Sequence, residues 1–143
     1  MFRKLTNDVL VAPQIDLEAV AEAKAQGVTL IINNRPEDES ADQTPGPDVE
    51  AAARAAGLDY TAIPVTHAGF AEWQVTAMAD ALENAEGKVL AYCRSGTRST
   101  LLWGLAQASS GHHPAVLSEA AADAGYDLTP VAAMMDMLRG RAA

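Results

Sequence analysis

The hydrophobic positions along the chain follow two spacings, and each spacing predicts one kind of element. Continuous apolar runs at 28–32 and 89–92 are typical of strands buried on both faces. Segments at 7–13 and 58–65 predict two further strands. Apolar residues three or four positions apart predict six helices, with N-caps that include Asp16, Asp48 and Thr129. Strands that alternate with helices predict an α/β fold: a mostly parallel sheet in a three-layer arrangement, flanked by helices.

The composition limits the class of protein. The 143 residues are 49% hydrophobic and 20% charged, which predicts a single domain over 1–143. Nowhere do about 18 apolar residues follow one another, and the first residues lack a secretory apolar run, so we expect a cytoplasmic protein. Acidic residues outnumber basic ones 19 to 10, for a net charge of -9, which disfavours binding to nucleic acid or to a membrane surface.

The only cysteine, Cys93, directly follows the apolar run at 89–92, and a helical pattern begins a few residues later. A tight turn between a strand and a helix directs backbone N–H groups toward one point, which forms an anion-binding nest. We predict that Cys93 is a nucleophilic thiolate, favoured by the helix N-terminus and by the guanidinium groups of Arg94 and Arg98. Gly96 lets the turn adopt positive φ, and Ser99 is the predicted helix N-cap.

A second polar segment, 33–47, follows the other buried strand, and its Pro, Gly and Asn content predicts a loop. Because α/β folds bind ligands beyond the carboxyl ends of their strands, we expect this loop near the binding site. Its one cation, Arg35, either pairs with Glu37 or Glu39 or contacts an anionic substrate. The three histidines lack further ligands at metal-site spacing, so neither a metal nor an organic cofactor is predicted.

Several of these motifs resemble known families. The loop Cys93-Arg-Ser-Gly-Thr-Arg-Ser99 resembles that of rhodanese sulfurtransferases, whereas Ile63-Pro-Val65 before a loop and a strand ending in cysteine resembles dual-specificity phosphatases. Together with Asn33-Asn-Arg-Pro-Glu-Asp-Glu39, the cysteine loop is similar to the phosphatase-like domain family named after beta-lactamase-hydrolase-like proteins. The resemblance implies a cysteine-phosphatase-like fold. Members of that family are also described as sulfur transferases, some of them fused to a persulfide dioxygenase.

Two departures from the phosphatase pattern favour sulfur transfer in this interpretation. Only four residues separate Cys93 from Arg98, whereas tyrosine phosphatases have five. The segment after Ile63-Pro-Val65 lacks the aspartate that protonates a leaving alkoxide, and only His67 could serve there. General acid catalysis raises a reaction rate by about 10²–10⁴-fold, whereas thiolates and sulfite are good leaving groups without protonation. We therefore expect a rhodanese-type sulfurtransferase, with a cysteine-dependent phosphatase as the alternative.

The expected reaction is attack of the Cys93 thiolate on the outer sulfur of thiosulfate or glutathione persulfide. A thiol, sulfite or cyanide then accepts the sulfur from the Cys93 persulfide. A persulfide dioxygenase or another sulfide-oxidising enzyme is an expected partner, and a non-catalytic anion-sensing domain is a third alternative. Cys93 and Arg98 are the predicted catalytic residues, and the predicted substrate-binding residues are Arg94, Ser95, Gly96, Thr97, Ser99 and Arg35.

Overall fold

The computed structural model describes residues 2–142, which form one five-stranded sheet and six α-helices. The strands are β1 (Arg3–Lys4), β2 (Val9–Ala12), β3 (Val28–Asn33), β4 (Asp59–Ala62) and β5 (Lys88–Tyr92). The helices are α1 (Leu17–Ala25), α2 (Gly46–Ala55), α3 (Glu72–Asn84), α4 (Thr97–Ser109), α5 (Pro114–Asp123) and α6 (Ala132–Ala142), and a 3-10 turn (Thr129–Val131) precedes α6. The strand order is β1-β2-β5-β3-β4, and only the β1-β2 pair is antiparallel.

The two faces of the sheet bury different residues of the same strands, because successive side chains of a strand point to opposite sides. On β2, Val9 and Val11 pack with α3, α4, α5 and α6, whereas Leu10 and Ala12 pack with α1 and α2. Burial of each such Val or Leu side chain contributes roughly 1.5–3 kcal/mol. The predicted mostly parallel sheet flanked by helices is confirmed.

The register of the three central strands brings their carboxyl ends to one edge of the sheet. Tyr92, the last residue of β5, lies level with Ala12 on β2 and with Asn33 on β3. The segments that follow these strands therefore meet at that edge, where ligands of parallel α/β sheets bind. Cys93 is the first residue beyond β5.

Five sequence-based assignments of elements differ from the structure. Thr129 is not the N-cap of α6, because it is the first residue of the 3-10 turn Thr129–Val131 and α6 begins at Ala132. β1 was not predicted, because a two-residue edge strand carries too little pattern. The strand predicted over 58–65 is paired only over Asp59–Ala62. Asp48 is not a helix cap, since α2 begins at Gly46, whose N–H donates to the Glu37 carboxylate at 2.8 Å. Ser99 is not the N-cap of α4, because Gly96 takes that position.

None of the helices within residues 2–142 combines the length and the hydrophobicity needed to cross a bilayer.

Candidate active site

Cys93 lies at the end of β5, under a loop that turns back over its sulfur. The Gly96 N–H donates a hydrogen bond to Cys93 Sγ at 3.1 Å, and Gly96 has a φ of 90°. The Cys93 side chain has no solvent-exposed surface. The amide therefore holds the sulfur in place and points a donor at charge that develops there. The predicted convergence of amides is met by Gly96, whereas the Thr97 N–H donates to Ser95 Oγ at 3.3 Å.

The loop is attached to its surroundings on both sides. The Arg94 carbonyl accepts from the Gln14 N–H at 3.2 Å, while the Arg94 side chain is exposed. The Ser95 carbonyl accepts from the Tyr126 hydroxyl at 3.1 Å. The Gly96 carbonyl accepts from the Thr100 hydroxyl at 2.8 Å, which ties the loop to the first turn of α4. Because several elements fix its backbone, the loop is preorganised around the sulfur.

Arg98 does not extend into solvent but forms a bidentate ion pair with Glu39 of the 33–47 loop. Its two terminal nitrogens lie 2.8 Å from the two carboxylate oxygens, and one of them also donates to the Val65 carbonyl at 2.7 Å. The Arg98 and Glu39 side chains are 20% and 18% exposed. A bidentate pair fixes the plane of a guanidinium group, so Glu39 sets the orientation of Arg98 beside Cys93.

Glu39 also binds Arg35, and it therefore links the two cations. Arg35 Nε lies 2.9 Å from Glu39 Oε1, and the other Arg35 nitrogens donate to Gln14 at 2.9 Å and to Ser40 at 3.0 Å. Hydrogen bonding to Arg98 and then to Arg35 lowers the pKa of Glu39 to about 2, although partial burial acts in the opposite direction. The Arg98 pKa is raised, mainly by its hydrogen bonds to Glu39, with a further contribution from the charge of Cys93. Glu39 and Arg98 therefore stay charged near neutral pH.

Asn34, near the start of the 33–47 loop, forms hydrogen bonds that connect this loop to the cysteine loop. The buried Ser99 hydroxyl donates to Asn34 Oδ1 at 2.8 Å. The Asn34 backbone N–H donates to the Tyr92 carbonyl at 2.8 Å, and its side-chain amide donates to the Ile63 carbonyl at 2.9 Å. Asn34 therefore joins three chain segments around the residue that precedes Cys93.

The structure brings all of the predicted site residues to one edge of the sheet, but at different depths. The sulfur of Cys93 lies beside Gly96 and Arg98. The exposed residues around it are Arg94, Ser95 and Thr97. Ser99 and Arg35 are buried and bonded within the protein, and Arg35 uses all three guanidinium nitrogens in this way. The roles assigned to these residues in binding and catalysis remain predictions.

Two residues of the site, Asn34 and Tyr126, were not predicted from the sequence. The contact between Glu39 and Arg98 was not predicted either. The sequence analysis gave an ion pair of Arg35 with Glu37 or Glu39 as one of two alternatives, and the structure has the pair with Glu39. The contact of Glu39 with Arg98 spans 59 positions, and that of Tyr126 with Ser95 spans 31. No local pattern in the sequence signals contacts at such distances.

The turn after β4 lies beside the cysteine loop, because Val65 accepts a hydrogen bond from Arg98. The Thr66 hydroxyl accepts from the Ala68 N–H at 3.2 Å, and its carbonyl accepts from the Gly69 N–H at 3.3 Å. His67 lies in this turn, two residues beyond Val65, and is exposed.

Among residues 2–142, no three His, Cys, Asp or Glu side chains are grouped as metal ligands.

Gly96 is predicted to tolerate no side chain. A Cβ atom at this position would collide with the Tyr126 hydroxyl, and φ is positive. We expect Gly96→Ala to destabilise the protein by about 2–4 kcal/mol, from backbone strain and the contact together. Gly111→Ala is the matched control, because its φ is 98° and nothing lies within 4 Å of the added Cβ, so strain alone should cost about 1–2 kcal/mol. Urea unfolding of both variants measures the difference, and equal losses would contradict the contact with Tyr126.

The sheet and the cysteine loop together define a class of protein. A mostly parallel sheet flanked by helices, with a central strand that ends in a cysteine under a helix N-terminus, is a cysteine-phosphatase-like fold. The chain belongs to the family described as beta-lactamase hydrolase-like protein, phosphatase-like domain, whose sequence model matches residues 1–110. The family predicted from the motifs is confirmed.

Comparisons with individual proteins agree with this assignment. A beta-lactamase hydrolase-like protein of Xylella fastidiosa is 41% identical over 105 residues, which are 72% of this chain and 24% of that protein. This chain thus spans about a quarter of the length of that curated relative. A candidate phosphatase of Neisseria meningitidis superposes with a TM-score of 0.82 at 30% identity, covering 96% of this chain and 97% of the other. TpbA of P. aeruginosa, in complex with phosphotyrosine, gives 0.68 at 17% identity, covering 99% and 89%, and shares the fold.

The expectation of a rhodanese-type sulfurtransferase is wrong. The family is described as phosphatase-like, and the Neisseria meningitidis candidate phosphatase matches nearly the whole chain. The spacing of Cys93 and Arg98 and the missing aspartate were interpreted as marks of a sulfur carrier. They are instead features of a chain that belongs to a phosphatase-like family, so they do not distinguish the two chemistries.

Proposed function

We propose that this chain is a cysteine-dependent phosphatase that hydrolyses phosphate monoesters through a phosphocysteine at Cys93. The observation that carries the proposal is the Gly96 N–H at 3.1 Å from Cys93 Sγ, in a loop flanked by Arg98. A loop of this kind supplies hydrogen-bond donors and positive charge to phosphoryl oxygens. The family description and the fold shared with the Neisseria meningitidis candidate phosphatase support the same chemistry.

In the first step, the Cys93 thiolate donates an electron pair to the phosphorus of the ester. The S–P bond forms while the P–O bond to the alcohol breaks, and the leaving oxygen takes a proton from an acid or from water. The Gly96 amide and the guanidinium groups of Arg94 and Arg98 stabilise the phosphoryl oxygens. Because Glu39 holds Arg98 in place, this cation needs little reorganisation during the reaction.

In the second step, water attacks the phosphocysteine. The new P–O bond forms while the S–P bond breaks, inorganic phosphate leaves, and the thiolate is restored with its electron pair. The proton of the attacking water passes to the group that served as the acid in the first step. The reaction needs no oxidant or reductant. A single cysteine that must stay a thiolate is suited to a reducing compartment, so a cytoplasmic location forms part of the proposal.

The direct test is release of inorganic phosphate from 4-nitrophenyl phosphate by the purified protein. Turnover that is first order in protein and is inhibited by inorganic phosphate, the product, would support the proposal. No phosphate release from aryl phosphates above the buffer rate would overturn it.

His67 is the proposed acid for the leaving group, because its turn contacts Arg98 through Val65. A phenol is a poorer leaving group than 4-nitrophenol, and it gains more from protonation. We therefore expect His67→Asn to lower kcat for phenyl phosphate by about 10–100-fold, below the full range for acid catalysis, and to change the rate with 4-nitrophenyl phosphate much less.

The control for His67→Asn is His112→Asn, since His112 is an exposed histidine at the other end of α4. It should leave both rates unchanged. If His67→Asn lowers kcat by the same small factor for both substrates, water and not His67 protonates the leaving group.

A further inference from the structure

A small pocket opens on the outer side of the cysteine loop, and the reaction proposed above does not use it. We call it the Arg3 pocket. Its volume is about 360 Å³, which is near the lower end for small-molecule sites. Arg3, Pro13, Ser95, Thr97, Gly125 and Tyr126 line it.

The Arg3 pocket adjoins the reactive sulfur through the loop itself. Ser95 and Thr97 flank Gly96, the residue whose N–H contacts Cys93 Sγ at 3.1 Å. The two side-chain hydroxyls lie 3.0 Å apart. The pocket is therefore lined by the two immediate neighbours of the residue that contacts the sulfur.

Arg3 provides a fixed positive charge at the wall of this pocket. Its NH1 donates to the Ala124 carbonyl at 2.8 Å, and its guanidinium lies 5.5 Å from the centroid of the Tyr126 ring, a cation–π distance. In the part of the chain that the structure describes, the ion pairs of arginine are those of Arg35, Arg54 and Arg98, so no carboxylate neutralises Arg3.

The backbone of the pocket leaves room for these groups. A Cβ atom at Gly125 would collide with the Arg3 guanidinium, and a Cβ at Gly96 would collide with the Tyr126 hydroxyl. Tyr126 in turn donates to the Ser95 carbonyl at 3.1 Å, so the wall of the pocket is bonded to the loop. The pocket thus presents two donors suited to an anion, the Arg3 guanidinium and the Thr97 hydroxyl, since the Tyr126 hydroxyl donates to the Ser95 carbonyl and the Ser95 hydroxyl donates to Thr97 Oγ1.

We propose that the Arg3 pocket binds a second anionic group, a carboxylate or a phosphate, carried by the leaving group of a small phosphomonoester. This inference rests on the proposed phosphatase function and narrows its substrate class. In a chain with a net charge of -9, an arginine that lies beside the cysteine loop and forms no ion pair within residues 2–142 offers selective attraction to doubly anionic substrates. Monoesters with neutral leaving groups lack this contact.

The test compares phenyl phosphates that differ only at the 4-position: carboxymethyl, phosphonomethyl and the neutral carbamoylmethyl. The methylene group keeps the acidity of the three phenols similar, so the ratios of kcat/KM report the contact with the distant group. We expect each anion to be preferred over the amide by about 3–10-fold in the wild-type protein, the range for one exposed charged contact. The larger of the two ratios identifies carboxylate or phosphate as the natural group.

Arg3→Gln is expected to bring these ratios close to one, and Arg3→Lys to restore part of the preference. Because each ratio compares substrates on one protein, a general loss of folded enzyme cancels. Lys4→Gln is the matched control: it removes one positive charge from the same strand at an exposed position outside the pocket, and it should leave the ratios unchanged. Wild-type ratios of one, or ratios that Arg3→Gln does not change, would overturn the proposal.

A binding measurement separates this inference from the proposed function. The corresponding benzylphosphonates cannot be hydrolysed, and calorimetry gives their affinities for the wild-type protein and for Arg3→Gln. A preference for the anionic compounds that is lost in Arg3→Gln supports the pocket even if no ester is hydrolysed, in which case only the phosphatase proposal fails. Equal affinities for the anionic and neutral compounds in the wild-type protein overturn the pocket, whatever the hydrolysis assay gives.

Discussion

Replacement of Cys93 by serine is expected to reduce phosphate release from aryl phosphates by more than about 10³-fold, because a neutral hydroxyl is a far weaker nucleophile than a thiolate. The smaller hydroxyl can still accept the Gly96 N–H in the same buried place, so the fold should persist. Rapid-quench mass spectrometry of the wild-type protein during turnover should detect one added phosphoryl group. The Cys93→Ser variant should carry no phosphoryl group at residue 93.

Circular dichroism and urea unfolding provide the control for the Cys93→Ser result. A loss of activity in a variant that unfolds like the wild-type protein assigns the loss to chemistry. Activity above about a tenth of the wild-type value would mean that water, and not the sulfur, attacks phosphorus.

Glu39→Gln is expected to produce the second large effect, on stability and activity together. The change leaves the nearly inaccessible Arg35 side chain, which is 3% exposed, without a negative partner. Removing one member of a mostly buried ion pair is strongly destabilising, and we expect a loss of about 2–4 kcal/mol in the free energy of unfolding. We also expect kcat/KM to fall by about 10–100-fold, because Arg98 loses the bidentate contact that orients it.

The control for Glu39→Gln is Glu50→Gln, which removes the ion pair between Glu50 and Arg54. Both side chains of that pair are exposed, at 42% and 55%, so its removal should change stability by less than about 0.5 kcal/mol and activity not at all. An increase in activity of Glu39→Gln would indicate that Glu39 competes with substrate for Arg98, which is the opposite of the positioning role.

The stabilisation by Glu39 should also depend on pH in a defined direction. The pKa of Glu39 is lowered from its ordinary value of 4.5 to about 2, first by its hydrogen bonds to Arg98. The contribution is therefore complete above pH 4.5 and is lost as the pH falls toward 2, since the unfolded chain takes up a proton first. The difference in unfolding free energy between wild type and Glu39→Gln should shrink in this window, by at most about 1.4 kcal/mol per pH unit. A difference that is constant from pH 6 to pH 3 would contradict the ion pair.

The parts of the fold that sequence reasoning predicted best are those with long local patterns. The buried strands at 28–32 and 89–92 and the helices between them have apolar residues at regular spacing, so their type follows from the sequence. The least predictable element was β1, which has two residues and exists through its pairing with β2. The start of α2 depends on the Glu37 carboxylate, nine positions before Gly46, and not on a neighbouring cap residue.

In the candidate site, too, the residues predicted from the sequence are those whose contacts are local. Cys93, Gly96 and Arg98 were predicted because strand, turn and helix are adjacent in the sequence, and their spacing by itself indicates an anion-binding loop. The same motif led to the wrong chemistry, because loops that carry sulfur and loops that carry phosphate use the same donors and the same nucleophile.

The sequence by itself thus determined the order along the chain of the helices and of every strand except β1, the position of the one cysteine and the loop that follows it, since these depend on residues within a few positions of one another. Only the tertiary structure decided that Glu39 joins Arg35 to Arg98 and that Tyr126 and Arg3 form a pocket beside the loop. The physical reason is that these contacts connect segments brought together by the register of parallel strands. No sequence pattern indicates which residue of a distant segment a charged or aromatic side chain will contact.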